Sequence, residues 1–217
     1  MLKNKVNYNS IAPFYDWLCK LIFGQSIQNA QIESLHFIPP NSTVLIVGGG
    51  TGWILDEINK IHPSGLTISY VDISSGMIEL SKKRKTGNNG VTFMQEAIEN
   101  TSLAHQYYDV ILTPFILDAF LQDNLQFIFQ KLDGSLKANG IWLYSDFCLS
   151  DESKWWQRIT IKVMYYFFYM VCKIETTRLP YVKAGFSKYK KIEEMNFCKN
   201  FIHTEVYQKI SMVTATV

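Results

Sequence analysis

Residues 44 to 52, VLIVGGGTG, carry a short unbroken apolar stretch into three glycines spaced by one residue, and WILDEINKI at 53–61 follows with helical spacing. A continuous apolar run of this length suits a strand buried on both faces. Strands of that kind are parallel and need crossover helices, so strand, loop and helix together commit the chain to an α/β fold.

The alternation continues along the chain. A helix spans 26–37 and stops at Pro39-Pro40; His62-Pro63-Ser64-Gly65 ends the helix after the glycines and leads into a second strand, LTISYVD. SGMIELSKKRK reads as a helix, VTFMQEA as a third strand, YDVILTPF as a fourth, NLQFIFQKLDGSL as a helix and GIWLYSDF as a fifth strand. FIHTEVYQKI and SMVTATV then read as two strands with almost nothing between them, an antiparallel pair at the sheet edge. The expected fold is a doubly wound, mostly parallel, seven-stranded sheet with an antiparallel C-terminal edge hairpin. At 217 residues, with no repeat and no linker, the chain is expected to be one domain over 1–217. Residues 1–38 form a helical cap on it and 149–190 a helical insertion on the substrate side.

Several classes are disfavoured. The 21 Lys+Arg against 19 Asp+Glu leave a net charge of +2, too small for a nucleic-acid surface. KKRK at 82–85 closes a helix, where cations complement the dipole, and KYKK at 188–191 is a short solvated run. Cys19, Cys148, Cys172 and Cys198 are far apart, and His36, His62, His105 and His203 show no metal or triad spacing, so no metal is expected. The N-terminus shows no apolar leader, and the reading is cytoplasmic. VMYYFFYMVC at 163–172 is shorter than the roughly 20 residues that cross a bilayer.

In an open α/β sheet ligands bind beyond the carboxyl ends of the strands. The first end is the glycine loop. A dinucleotide fingerprint would need glycine at 53, where Trp53 stands, and a P-loop would need Gly-Lys-Ser/Thr, so neither a nicotinamide nor a nucleotide-phosphate cradle is present. Gly48, Gly50 and Gly52 instead let the backbone approach a ligand closely. The second end is Asp72, either the acceptor for two ribose hydroxyls or the N-cap of the helix starting near Ser75. The third is Glu96-Ala97, able to meet an adenine edge. Glycines, ribose acceptor and adenine acceptor without a phosphate cradle point to S-adenosylmethionine (SAM).

These same stretches resemble the class I SAM-dependent methyltransferases, and the branch similar to the ubiquinone/menaquinone-biosynthesis methyltransferases in particular. VLIVGGGTG resembles the family's first motif, YVDISSGMIELSKKR its second strand and helix, and VTFMQEA, YDVILTPF and LKANGIWLYSDF its next strands; YNSIAPFYDWL resembles the N-terminal segment that folds over the cofactor. The resemblance runs from about Tyr8 to Phe147. It implies that Gly48, Gly50, Thr51 and Gly52 approach the methionine and ribose, that Asp72 holds the ribose, that Ile73 and Met77 pack near the adenine, and that Glu96 and Ala97 read its edge. It also puts Thr113 beside the methionine and Tyr15 in the lid. Ile46 departs from the family, which often carries an acid there; Tyr15, Asp16 or water would have to replace it.

Methyl transfer depends mainly on orientation in a water-poor site, so a catalytic residue need not be legible. Asp118 and Asp146, after the fourth and fifth strands, are the acids at the reactive edge, as a base or as loop-fixing groups. The aromatic stretch between strands five and six suggests an apolar or aromatic small-molecule acceptor, with Tyr165 and Phe168 over the pocket; core packing or a homodimer contact would use the same stripe. Peripheral membrane contact is also open. The alternative function is a non-catalytic binding protein on the same fold.

Overall fold

The structure, a computed structural model, describes residues 8–211. Its centre is a seven-stranded sheet in the order β3-β2-β1-β4-β5-β7-β6. The first five strands, β1 (Thr43–Val47), β2 (Ser64–Asp72), β3 (Asn88–Gln95), β4 (Tyr108–Pro114) and β5 (Leu136–Phe147), are parallel. β6 (Tyr189–Phe197) and β7 (Ile202–Lys209) form an antiparallel hairpin, and β7 joins β5 antiparallel.

Period-two alternation in β1 builds two cores. Val44 and Ile46 pack with Ile54, Leu55 and Ile58 of α3 (Trp53–Ile61), while Leu45 and Val47 face α5 (Gln122–Ser135) through Leu125, Ile128 and Leu132. A third apolar cluster caps the carboxyl end of the sheet. It joins Phe23 of α1 (Tyr15–Phe23), Ala30 of α2 (Ser26–Ile32), Phe147, Phe201 and the inner side of α6 (Trp155–Cys172). β1 lies between β2 and β4, so strand order reverses there and a crevice opens over the glycine loop.

Local expectations are corrected at three points. The antiparallel edge partner of β7 is β6, and the expected strand SMVTATV falls, from residue 212 on, outside the described residues. β6 is YKKIEEMNF, mostly exposed, and its charges, which hide the strand pattern, protect an edge from pairing with other chains. Cys198, Lys199 and Asn200 turn the hairpin with φ of 49°, 57° and 63°. The expected helix at 26–37 is α2 followed by a separate 3-10 turn at Leu35–Phe37, and α4 (Ser75–Ser81) stops before KKRK rather than running through it. No helix among the described residues is long and apolar enough to cross a membrane.

Candidate functional site

The loop after β1 turns through left-handed backbone at Gly48, Gly50 and Gly52, with φ of 68°, 61° and 77°. The three differ in what a side chain would meet. A Cβ on Gly48 would lie 2.7 Å from Ile116, and one on Gly52 2.5 Å from Ser81, so both are packing requirements. A Cβ on Gly50 meets no protein atom within 4 Å. Gly50 is the glycine whose missing side chain leaves room in the crevice.

Asp72 ends β2 beside this loop. One carboxylate oxygen accepts from the Gly50 N–H (3.1 Å) and the other from the Ser74 N–H (2.9 Å), leaving lone pairs on both. The N-cap role belongs to Ser74, whose hydroxyl accepts from the Met77 N–H at 3.2 Å. Burial pushes the Asp72 carboxyl up to about 6, against the two N–H donors that lower it.

Ile46 is fully buried in the α3-side core, outside the crevice. Its register partner on β2 is Tyr70, equally buried, whose hydroxyl donates to the Gly50 carbonyl at 2.9 Å. The loop is thus fastened from the neighbouring strand at the level where Ile46 offers no polar group. A second fastening comes from the N-terminal segment: the Thr51 hydroxyl donates to Asp16 at 2.7 Å, and Arg84 donates to the Thr51 carbonyl (2.9 Å), Asp16 (3.2 Å) and Asp56 (3.3 Å). Arg84 lies in KKRK, where the sequence suggested only a helix end; because α4 stops early, its side chain reaches back to the loop. Tyr70→Phe is expected to lower stability by about 1 kcal/mol in thermal unfolding, the ordinary net value of one hydrogen bond.

Around this loop lies a cavity of about 600 Å³, within the usual range for small-molecule sites. Gly48, Gly50, Thr51, Asp72, Ile73 and Met77 line it, and Glu96 and Ala97 join them from the end of β3. Tyr15 closes it from α1. Gly52 is not in the wall, and the side chain of Thr113 is turned into the α5-side core, where its hydroxyl accepts from the Trp142 indole at 2.9 Å. The opposite wall is apolar and aromatic, from Met164, Tyr165, Phe167 and Phe168 of α6, with Asp118 among them.

Residues 44–140 match the family described as a methyltransferase domain. The chain is 32% identical over 143 residues to a malonyl-[acyl-carrier protein] O-methyltransferase of Priestia megaterium, covering 66% of this chain and 50% of that protein. It is likewise 32% identical over 114 residues to a ubiquinone/menaquinone biosynthesis C-methyltransferase of Geotalea daltonii, covering 50% of this chain and 48% of the relative. Over residues 44–140 this chain is therefore similar to the class I SAM-dependent methyltransferases. It spans about half the length of the curated relatives it matches. The fold also matches the Burkholderia thailandensis 1,6-didemethyltoxoflavin-N1-methyltransferase, solved with 1,6-didemethyltoxoflavin and S-adenosylhomocysteine, at a TM-score of 0.61 and 12% identity over 93% of this chain and 86% of that one. That family's cofactor, SAM, suits what the crevice offers: space over Gly50 and a buried carboxylate with free lone pairs.

On the other side of the cavity, Asp118 and Asp146 form a buried carboxyl pair. Asp146 is structural: it accepts from the Asp118 N–H (3.2 Å) and from its neighbour Phe147 N–H (2.8 Å), which fixes the loop after β4. Asp118 lines the cavity, and the Tyr165 hydroxyl donates to its carbonyl (3.2 Å) and lies 3.4 Å from its carboxylate. Burial pushes both carboxyls up, and for Asp146 the Asp118 charge adds to it. The pair therefore holds a proton more readily than exposed acids do. Tyr8 and Tyr15 approach the same wall, each stacked at a tilt on Phe168 with ring centroids 6.0 and 6.5 Å away. Among the described residues no group of three or more His, Cys, Asp or Glu could hold a metal ion, and the four cysteines are free.

Proposed function

We propose that this protein transfers a methyl group from SAM to a small apolar or aromatic acceptor. The observation that carries the reading is that one cavity has the glycine loop and Asp72 on one wall and the aromatic side of α6 with Asp118 on the other. Asp72 accepts from the ribose hydroxyls, the Gly48–Thr51 backbone takes the amino-acid portion, Ile73 and Met77 pack on the adenine, and Glu96 with Ala97 meets its edge. SAM supplies a sulfonium-bound methyl group open to in-line displacement. The chain's own contribution is orientation and exclusion of water: α1 covers the loop through Asp16 and Tyr15, and Tyr165 and Phe168 form the acceptor wall. Asp118 is the group placed to take a proton from an acceptor hydroxyl or activated carbon. Helices 12–37 act as the cofactor cap and 149–190 as the acceptor side of one domain.

Calorimetric titration with SAM and with NAD tests the cofactor, followed by a screen of phenols, quinone precursors and lipids for methyl uptake. Saturable SAM binding without NAD binding is expected. Binding of neither would move the protein to the non-catalytic reading.

The pH dependence of SAM binding is a second check. A hydroxyl donating to Asp72 needs its carboxylate form, whereas the raised value means the ligand-free protein takes up a proton as pH falls through about 6. SAM affinity should therefore be flat above that point and fall by roughly tenfold per pH unit below it. Asp72→Asn should remove the slope and weaken binding at neutral pH. By the same sign, the stability that protonated Asp72 contributes to the ligand-free protein is lost as pH rises through about 6.

A further inference from the structure

The aromatic helix α6 is apolar on both sides, but the fold covers only one. Ile161, Tyr165 and Cys172 are buried against the N-terminal helices and the carboxyl end of the sheet. Trp155, Ile159, Val163, Tyr166 and Met170 follow one another at three- and four-residue spacing, the spacing of a single helical face, and are between 49 and 74% exposed. Trp17 and Leu21 of α1 add exposures of 65 and 66%. Apolar surface gathered in this way marks a docking surface rather than ordinary protein exterior.

Charge distinguishes between occupants. Arg158 and Lys162 are exposed on the same face, Lys154 and Lys173 bound the helix, and no Asp or Glu occurs between 154 and 173; the nearest acids, Glu152 and Glu175, stand beyond the helix ends. In a two-fold pairing with a second copy this face would meet itself, bringing cations together without carboxylates in the part of an interface where charge is normally depleted. A bilayer with anionic headgroups complements the same pattern. Trp and Tyr sit well at headgroup level, and the Lys and Arg stems can lie along apolar surface while their charges reach phosphates. The 18 residues of α6 give a helix about 27 Å long, enough to lie in the interfacial plane as membrane-surface helices do.

The patch is also continuous with the cavity. Ile22, Ile159 and Val163 are exposed and at the same time form part of its wall. We propose that the outer face of α6, with the adjoining face of α1, docks on an anionic lipid surface and that the cavity opens onto that surface, so that the methyl acceptor is a lipid-borne molecule. The acceptor half of this proposal rests on the methyl-transfer reading; the docking half does not.

The test uses the full chain with vesicles of phosphatidylglycerol mixed into phosphatidylcholine, and of phosphatidylcholine alone. The expected result is co-sedimentation with the mixed vesicles, at least ~10-fold weaker partition onto phosphatidylcholine, weakening by salt, and a blue shift of the emission from Trp17 and Trp155. Arg158→Glu combined with Lys162→Glu should lower partition by ~10-fold or more, and Tyr166→Ser should lower it without altering charge. None of these three residues lines the cavity, so retained SAM binding serves as the check that each variant is folded. If the charge-reversed chain fails that check, Tyr166→Ser carries the test. The proposal is overturned if folded wild-type protein ignores both vesicles or partitions equally onto them. It is also overturned if the wild type is a dimer that Trp155→Ser turns into a monomer, which would give the face to a second copy. Vesicle binding by a wild-type chain that takes up no SAM would instead sink the methyl-transfer reading and leave docking in place.

Discussion

Gly50→Val is expected to reduce SAM affinity at least ~100-fold, a loss of about 2.7 kcal/mol, while the domain remains folded. Two effects act together. Gly50 has φ of 61°, where a side-chain-bearing residue costs about 1–2 kcal/mol and a β-branched one is least tolerated. The added Cβ meets no protein atom within 4 Å; the side chain starts into the crevice, the space a ligand would use. The contrast with the other glycines makes the test specific. At Gly48 and Gly52 a side chain would strike Ile116 and Ser81, so Gly48→Ala and Gly52→Ala should lower the unfolding temperature. Calorimetry and thermal unfolding on the three variants separate ligand room from packing. Normal SAM affinity in Gly50→Val would refute the assignment of the loop.

Asp118→Asn should leave SAM affinity nearly unchanged and lower methyl transfer to a hydroxyl or carbon acceptor by ~10²–10⁴, the usual contribution of a positioned base. Stability should move the other way. The Asp118 carboxyl is raised by burial, so the stability its protonated form contributes is lost as pH rises through the folded-state value. An amide of nearly the same size carries no charge to bury and no repulsion towards Asp146, so the variant should unfold at the same or a higher temperature at neutral pH. The Asp118 N–H to Asp146 bond is backbone-donated and survives the change. A variant that instead loses stability and keeps turnover would make Asp118 a loop-fixing residue like Asp146. In wild type, turnover should rise with pH as Asp118 deprotonates beside Asp146, Tyr165 and Tyr8, and the variant should lack that limb.

The helices and strands that were legible in the sequence are those whose pattern follows from burial. VLIV is a continuous apolar run because β1 is covered on both faces, and WILDEINKI has helical spacing because α3 covers one of them. β6 carried no such signal, since an exposed edge strand is under pressure to be charged rather than alternating. The end of α4 was misplaced because KKRK suits a helix terminus, and only the tertiary contacts draw Arg84 away to Thr51, Asp16 and Asp56. The aromatic stripe of α6 shows in the sequence without saying which side is covered; the fold covers one side and leaves Trp155, Tyr166 and Met170 in water.

By itself the sequence determined the α/β alternation, the glycine loop and the order of strand-end groups that names the cofactor, because local periodicity, backbone freedom at glycine and the one-letter identity of an acid are all properties of short stretches. Long-range packing decided the rest. That Tyr70 fastens the loop beside Ile46 depends on the register of two strands separated by a helix. That Gly50 rather than Gly52 faces open space depends on where α4 ends. That Asp118 and Asp146 share one buried environment depends on β4 and β5 lying side by side, and buried charge is a property of surroundings that no single stretch of residues contains.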